Sequence, residues 1–212
     1  KGLWMRRLSA SLMCVLVLSL TACADWAGAE SADDGKEIDV VIHPERDDNG
    51  DLVPVKKTID EWKAQLSDTE FYILREKGTE RAFTGRYHDS KKDGVYCCAG
   101  CGLALYDSKT KFDSGTGWPS YYEAYAPDHV GENEDLSHGM RRVEIVCARC
   151  DGHLGHVFPD GPRPTGMRHC VNGYSLKFIE REVYEAKKAE LEAESGDAQE
   201  TNADTAEAAA DS

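Results

Sequence analysis

Apolar and polar positions alternate with a helical period at residues 58–78, at the start of the part of the chain that holds most of the aromatic residues. Two capping boxes precede short apolar runs: Thr58 with Glu61, and Ser67 with Glu70. In such a box a hydroxyl and a carboxylate satisfy backbone amides that a new helix leaves without partners. The pattern therefore predicts two short helices. Gly78 is expected to end the second, because glycine favours the left-handed conformation that follows many helices.

The period changes to about two residues between Gly94 and Phe178, which is typical of β-strands. Four short β-type runs lie at residues 94–97, 103–106, 142–146 and 174–178. No strand–helix–strand alternation occurs, so a parallel sheet is not expected. After Ile179 the pattern is helical to about Glu194 and then becomes an acidic, alanine-rich tail. We therefore predict a mainly antiparallel β core with short N-terminal helices and a C-terminal helix and tail.

The amino-terminal segment has the order of a signal peptide. Arg6 and Arg7 precede an apolar run at residues 8–20, which is too short for a relaxed transmembrane span. The run leads into Leu-Thr-Ala-Cys at residues 20–23. This pattern is similar to the lipobox of bacterial lipoproteins, in which the chain is cleaved immediately before the cysteine and that cysteine is lipidated. The resemblance implies a lipid anchor on Cys23, and the alternatives are an ordinary secretory signal or an uncleaved anchor.

These patterns divide the chain into four parts. We predict a signal peptide at 1–22, a polar tether at 23–57, a folded domain at 58–182 and a helical, then disordered, acidic tail at 183–212. The net charge of −14 disfavours nucleic acid, because phosphate contacts require clustered Lys and Arg. It also disfavours adhesion to anionic lipid by charge alone. Membrane attachment is therefore expected through the lipid anchor, in the bacterial envelope, facing the periplasm or the exterior.

Two Cys-x-x-Cys pairs indicate a metal site: Cys98 with Cys101, and Cys147 with Cys150. A tight turn of this spacing presents two thiolates to one ion, and two such turns supply the tetrahedral four-sulfur shell of structural zinc. Because protein would fill all four positions, the predicted Zn²⁺, one per chain, has a structural role. Two disulfides, or one redox-active pair, are the alternatives in an oxidising compartment.

Cys170 is the candidate nucleophile among the remaining cysteines. The signal peptide would remove one cysteine and lipidation would block another, which leaves Cys97 and Cys170. In an extended strand Arg168 and Asn172 would share a face with Cys170. A guanidinium beside a thiol favours the thiolate, which is the reactive form.

Two histidines upstream of Cys170 could donate protons near neutral pH. They are His153 and His156, which lie three residues apart. The alternative is that Cys170 is a small buried hydrophobic residue and that both histidines are incidental. Local sequence leaves these two interpretations open.

Four longer stretches resemble the B-type methionine sulfoxide reductases, the peptide-methionine (R)-S-oxide reductases. These stretches are Lys111–Ser120, Leu136–Met140, His153–Gly161 and Gly166–Asn172. The two Cys-x-x-Cys pairs stand where that family places its zinc ligands. The resemblance implies a two-sheet antiparallel β core, a zinc remote from the active site, and no organic cofactor.

The resemblance also implies a mechanism. The Cys170 thiolate would attack the sulfur of a methionine-R-sulfoxide in an oxidised protein, leaving methionine and a Cys170 sulfenic acid. A proton would reach the departing oxygen by way of His153 or His156. By the same resemblance, orientation of the thiol and binding of the substrate fall to four further residues: Arg168, Asn172, Trp118 and Phe158.

The chain departs from the family where relatives carry a resolving cysteine. Many relatives have that cysteine at the position of Thr116, and others have it at the position of Thr84. Cys97 adjoins a predicted zinc ligand, so we expect an external, thioredoxin-like thiol to act as the reductant. His169 stands where the family often has tyrosine. We expect the protein to be a monomer.

Two other functions fit parts of the pattern. A zinc-stapled envelope lipoprotein that binds a partner without catalysis would leave Cys170 inert. A general thiol–disulfide oxidoreductase would instead act on disulfides through one of the Cys-x-x-Cys pairs. Activity on methionine sulfoxide separates both alternatives from the reductase.

Overall fold

The computed structural model describes residues 38–193. The predicted signal peptide, the lipidation site at Cys23 and the end of the acidic tail lie outside the described residues. In chain order the elements are α1 (Ile59–Gln65), α2 (Asp68–Glu76), β1 (Gly94–Cys98), β2 (Ala104–Asp107), β3 (Lys111–Phe112), β4 (Ser120–Tyr121), β5 (Val130–Asp135), β6 (Arg142–Cys147), β7 (His153–Phe158), β8 (Arg168–Val171), β9 (Leu176–Glu180) and α3, which covers residues 181–193. None of the helices in this range is both long enough and apolar enough to cross a membrane.

The strands form two sheets, and the prediction of a mainly antiparallel β core is confirmed. The smaller sheet has the order β2–β1–β9, and the larger has the order β3–β4–β8–β7–β6–β5. Each ladder between these named strands is antiparallel. The larger sheet therefore places β8, which carries Cys170, between β4 and β7.

Both predicted helices begin at their capping boxes. The hydroxyls of Thr58 and Ser67 each accept a hydrogen bond from the backbone of the glutamate three residues later. The end of α2 differs by one residue, because Lys77 and not Gly78 adopts the left-handed conformation, with φ of 57°. A Cβ at Gly78 would overlap the ring of Tyr72, which is half-exposed and would have to move aside.

Stacked tyrosines join the two sheets. The rings of Tyr106 from β2 and Tyr121 from β4 lie 4.3 Å apart, and Tyr96 from β1 lies 5.3 Å from Tyr121. All three are fully buried, and aromatic pairs at such distances stabilise a core beyond the area they bury. Because Tyr121 follows Ser120, which pairs with Cys170, the stack fixes β4 beside the candidate nucleophile.

Residues 38–57, which the sequence analysis assigns to the polar tether, lie against the folded domain. The Val41 amide donates to the Gly102 carbonyl over 3.0 Å, and the Val55 amide donates to the Arg149 carbonyl over 2.7 Å. The sequence contains a short apolar alternation here that the surrounding polar residues obscure. Its members pack on the Cys97 side of the smaller sheet: Ile38, Val40 and Ile42.

Gly102 shows how closely this segment approaches. Its φ is 75°, and a Cβ there would lie 1.9 Å from the carbonyl oxygen of Asp39. A side chain at this position would therefore be strained and would displace the segment. The contact therefore holds residues 39–41 against the turn that follows β1.

Candidate active site and metal site

The four cysteines of the two Cys-x-x-Cys pairs form one cluster. Their sulfur atoms all lie within 4.8 Å of one another. The Cys98–Cys150 and Cys101–Cys147 sulfur pairs are separated by 3.7 and 3.5 Å. A tetrahedral shell with metal–sulfur bonds of about 2.3 Å places its sulfurs about 3.8 Å apart. A disulfide requires about 2.05 Å, so the cluster is positioned to bind a metal ion.

The two amino-terminal helices cover this cluster. The Gln65 side-chain amide donates to the Gly100 carbonyl over 2.6 Å, and Arg75 donates to the Cys150 carbonyl over 2.9 Å. Trp62 is buried in the same part of the core. The metal position is thus enclosed by protein, as a structural site requires.

Cys170 lies in a separate cleft of about 220 Å³. Strand pairing places it opposite Ser120 of β4 on one side and His156 of β7 on the other. This Cys170 cleft brings together five residues that the sequence analysis assigns to catalysis or substrate binding: Trp118, His156, Phe158, Cys170 and Asn172.

Opposing effects act on the Cys170 thiol. Burial raises the pKa of Cys170, and this effect outweighs the lowering by Arg168 and by the hydroxyls of Thr116 and Ser120. The predicted influence of Arg168 is therefore present but does not dominate. The free thiolate is correspondingly less populated than a guanidinium neighbour alone would make it.

Arg168 is not among the residues that line the cleft, and two contacts define its position. Its Nε and Nη2 atoms donate to the two carboxylate oxygens of Asp160 over 2.8 and 2.9 Å. Its guanidinium carbon lies 4.5 Å from the centre of the Phe158 ring. A two-pronged ion pair and a cation–π contact together define its orientation.

His156 is bound through one ring nitrogen. Its Nε2 lies 2.7 Å from a carboxylate oxygen of Asp135, which also accepts a hydrogen bond from Arg142 over 2.6 Å. An ionised carboxylate can only accept, so Nε2 carries the proton in this bond. Nδ1 is therefore the ring nitrogen that remains available to exchange a proton with another group.

His153 is bound through the opposite nitrogen and is more deeply buried. Its Nδ1 lies 2.7 Å from Glu144, and Glu144 in turn accepts from Lys77 over 2.8 Å. Burial lowers the pKa of His153, and Glu144 offsets part of this effect. His153 lines a groove of about 540 Å³ beside the Cys170 cleft, with which the groove shares His156.

A β-bulge brings the two histidines to the same side of the sheet. Residues three apart in a regular strand face opposite sides. The pairing of β6 with β7 shifts by one residue, so that Ile145 pairs with Gly155 and Val146 with His153. The two imidazole centres consequently lie only 5.6 Å apart.

A buried hydrogen-bond network around Glu80 fixes Asn172 and Trp118. The Asn172 side chain donates to the Leu154 carbonyl over 3.0 Å and accepts from the Glu80 amide over 3.1 Å. The Trp118 indole donates to the Glu80 carbonyl over 3.1 Å. The Glu80 carboxylate accepts the two backbone amides after Asn172, although burial raises its pKa.

The sequence analysis did not identify four acidic residues that support the cleft and the groove. They are Glu80, Asp135, Glu144 and Asp160. Asp160 lies within one of the quoted stretches, and Asp135 immediately precedes another. Glu144 is the single acidic residue in the β-type run at residues 142–146, and this unusual position is the feature that could have drawn attention to it. Glu80 has no comparable local cue.

Cys97 and the two threonines that replace the resolving cysteines of relatives lie in different environments. Cys97 is fully buried in β1 of the smaller sheet, and burial raises its pKa to about 12. The Thr116 hydroxyl lies 4.0 Å from the Cys170 sulfur. The Thr84 hydroxyl donates to the Arg81 carbonyl over 2.8 Å.

Comparison with known proteins agrees with this arrangement. The SelR domain matches residues 66–180. The peptide methionine sulfoxide reductase MsrB of Pseudomonas paraeruginosa is 56% identical over 128 residues, which cover 60% of this chain and 97% of that protein. The MsrB of Thiobacillus denitrificans is 58% identical over 122 residues, covering 58% of this chain and 92% of that protein. The chain therefore belongs to the SelR domain family.

Proposed function

We propose that this protein is a peptide-methionine (R)-S-oxide reductase that returns oxidised methionine in proteins to methionine with electrons from a thiol. The observation that carries the proposal is the Cys170 cleft, in which a thiol, an imidazole and an indole converge in a chain of this family. The MsrB relatives support sulfoxide reduction as the chemistry. The non-catalytic module and the disulfide oxidoreductase are not favoured.

The cleft suits the end of a methionine sulfoxide side chain. Trp118 and Phe158 supply aromatic walls for the methyl and methylene groups, while polar groups converge near Cys170. The bond from the Trp118 indole to Glu80 holds that ring in place. An aromatic wall that is already ordered loses little further side-chain entropy when the substrate binds.

The proposed chemical step transfers the sulfoxide oxygen to Cys170. The thiolate attacks the sulfoxide sulfur and forms a transient sulfur–sulfur bond, while the oxygen takes up a proton. The oxygen then passes to the Cys170 sulfur as the sulfur–sulfur bond and the methionine sulfur–oxygen bond both break. Thiolate, sulfoxide and one proton thus become a Cys170 sulfenic acid and methionine, and the methionine sulfur regains its electron pair. Negative charge grows on the oxygen during attack, so a proton donor there lowers the barrier most.

His156 is the proposed donor of that proton. It lines the Cys170 cleft, whereas His153 lines the adjoining groove. The hydrogen bond between Nε2 and Asp135 fixes the orientation of the imidazole. In this proposal Arg168 and Asn172 orient the thiol and the substrate.

An external thiol completes the proposed cycle. One thiol condenses with the sulfenic acid and releases water, and a second thiol reduces the mixed disulfide to regenerate Cys170. Cys97 lies buried in the other sheet with a raised pKa, so it is poorly placed to form a thiolate for this step. A thioredoxin-like protein is the proposed donor.

Three further proposals concern the setting of the enzyme. The ion in the four-cysteine cluster is Zn²⁺, because its sulfur spacing fits a closed tetrahedral shell, and the ion supplies a structural staple between two turns. The lipobox-like segment ends in a lipidated Cys23, which holds a monomeric enzyme on the outer side of a bacterial membrane. There it repairs oxidised envelope or extracellular proteins.

An epimer-resolved assay tests the function. With a small-thiol reductant, the full chain should reduce the R epimer of methionine sulfoxide and leave the S epimer unchanged. The Cys170→Ser variant should lose more than about 10³-fold in kcat, because the nucleophile itself is removed. Chromatographic measurement of methionine formed from each epimer gives both results.

A second cysteine variant provides the control. Cys97→Ala should retain activity, and both variants should keep one metal ion per chain. Full activity of Cys170→Ser would refute the assignment of the nucleophile. Reduction of disulfides that is lost on Cys101→Ser would support the oxidoreductase alternative instead.

A further inference from the structure

Three hydroxyl groups form a line that starts at the Cys170 sulfur. The Thr116 Oγ1 lies 4.0 Å from this sulfur and 2.8 Å from the Ser114 Oγ. The Ser114 Oγ lies 2.8 Å from the Ser120 Oγ, which is also 3.2 Å from the Trp118 carbonyl oxygen. The oxygen–oxygen distances within the line are those of good hydrogen bonds. The longer contact to sulfur can tighten when sulfur carries charge.

Each hydroxyl in this line has one proton to donate, which restricts the possible arrangements. The Trp118 carbonyl can only accept. When Cys170 is a thiol, donation can run from the sulfur through Thr116, Ser114 and Ser120 to that carbonyl. When Cys170 is a thiolate, the sulfur can only accept. The bonds between the sulfur, Thr116, Ser114 and Ser120 can then reverse, and Ser120 gives up its bond to the Trp118 carbonyl.

The segment that carries the hydroxyls is preorganised. Gly115 has φ of 69°, and its amide donates to the Asp113 carboxylate over 2.9 Å. Ser120 is fully buried and stands opposite Cys170 between β4 and β8. The hydroxyls can therefore change direction by rotating about single bonds, without movement of the backbone.

We propose that Thr116, Ser114 and Ser120 form a hydroxyl chain that reverses direction when Cys170 ionises and thereby stabilises its thiolate. Thr116 contacts the reacting sulfur and Ser120 also acts on it, so both are then further catalytic residues, and Ser114 is a positioning residue. The catalytic role rests on the proposed function of Cys170. The half-buried sulfur thus receives a hydrogen bond from Thr116 when it is negatively charged, and the donor is a protein group and not water.

Other groups also act on the sulfur and stay unchanged in the test. Arg168 acts from the same strand, and the Ser120 hydroxyl acts from β4. The titratable or cationic side chains that line the cleft with Cys170 are His156 of β7 and Arg142 of β6. The hydroxyl chain is a neutral contribution beside these groups. Substitution of a hydroxyl therefore changes no formal charge in the cleft.

The pH dependence of Cys170 alkylation tests the chain directly. In the full-length protein, peptide mass spectrometry follows the reaction of iodoacetamide with Cys170 as the pH is varied. Thr116→Val, which keeps the shape and removes the hydroxyl, should slow the reaction at pH 7 about tenfold, equivalent to a rise of about one pKa unit. Thr116→Ser keeps the hydroxyl and should stay within about twofold of the wild type.

Ser114→Ala separates a chain from a single contact. It leaves Thr116 beside the sulfur and removes the next hydroxyl, so the reaction should slow about threefold if the bonds act cooperatively. Melting temperatures verify folding, and Ser114→Ala carries the test if Thr116→Val does not fold. An unchanged pH profile in the folded variants would overturn the proposal.

The assay contains no sulfoxide, so it distinguishes this proposal from the proposed function. A shifted alkylation profile in a protein that does not reduce methionine sulfoxide would retain the chain as a thiolate-stabilising device and reject its catalytic role. Normal sulfoxide reduction with an unshifted profile would reject the chain and leave the function intact.

Discussion

At the scale of single residues, the two histidines differ in which nitrogen the protein holds. His153 is bound through Nδ1 to Glu144, and His156 through Nε2 to Asp135. Each carboxylate is itself bound by a cation, Lys77 in the first case and Arg142 in the second. The arrangement fixes opposite tautomers for the two neutral rings.

The titration of His153 provides a prediction with a defined sign. Burial lowers the pKa of His153 below the ordinary value of 6.5, and Glu144 opposes this shift. The Glu144→Gln variant should therefore lower the pKa further, because the opposing negative charge is lost. An NMR titration of the imidazole carbon-bound protons measures the change. A higher pKa in this variant would contradict the prediction.

Lys77 supplies a matched control of opposite sign. Its positive charge contributes to the lowering of the His153 pKa, so Lys77→Met should raise that pKa.

The lowered pKa of His153 also makes stability depend on pH, since the unfolded histidine takes up a proton near pH 6.5 before the folded one does. Stability from this source is present above pH 6.5 and falls as the pH decreases below it.

The residues of the Cys170 cleft show what the sequence can predict. Trp118, Phe158 and Asn172 lie in long motifs, so their presence beside Cys170 follows from the resemblance. Glu80 could not be anticipated in the same way. It reaches Asn172 from 92 positions earlier in the chain, and only the folded backbone brings the two together.

At the scale of elements, the strands differ in how visible they are in the sequence. The predicted runs at 94–97 and 142–146 correspond to β1 and β6, which are buried along most of their length. The polar β5 (Val130–Asp135) was not predicted. It lies at the edge of the larger sheet, where solvent-facing positions need no apolar side chains.

The bulge between β6 and β7 was also not predicted. The pairing register shifts by one residue between Ile145 and Val146, so that Val146 pairs with His153. The register between two strands is not a local property of either strand. Without the bulge, His153 and His156 would face opposite sides of the sheet. The shared histidine face is therefore a property of the assembled sheet.

The four-cysteine cluster links the turn after β1 to the turn after β6, which leads to a prediction about removal of the proposed metal ion. Cys101→Ala should lose the metal ion and lower the free energy of unfolding by at least about 3 kcal/mol, because the ion holds two distant turns together. Metal analysis and denaturant unfolding give the two readouts. Treatment of the wild type with a strong chelator should act in the same direction.

Cys97→Ala is the matched control for this experiment. Cys97 is fully buried, whereas Cys101 is partly buried, and it lies next to Cys98 but outside the four-sulfur cluster. Its loss should retain one metal ion per chain. Loss of the ion from Cys97→Ala, or its retention in Cys101→Ala, would show that the ligand set is wrong.

At the scale of the whole molecule, the proposed lipid anchor determines where the enzyme works. When the full-length chain is expressed in a bacterium, fractionation should place it with the membranes. Cys23→Ser should move it to the soluble fraction, because the thiol that accepts the lipid is lost. Radiolabelled fatty acid should enter the wild type and not the variant. Unchanged membrane association of Cys23→Ser would indicate an uncleaved anchor.

The path of residues 38–57 has a mechanical consequence for an enzyme tethered in this way. This segment donates hydrogen bonds to the carbonyls of Gly102 and Arg149, which adjoin or lie within the two metal-binding turns. A pull from the membrane side would load these two bonds first. The metal-linked turns would carry the strain, and β8 with Cys170 would lie outside the line of force.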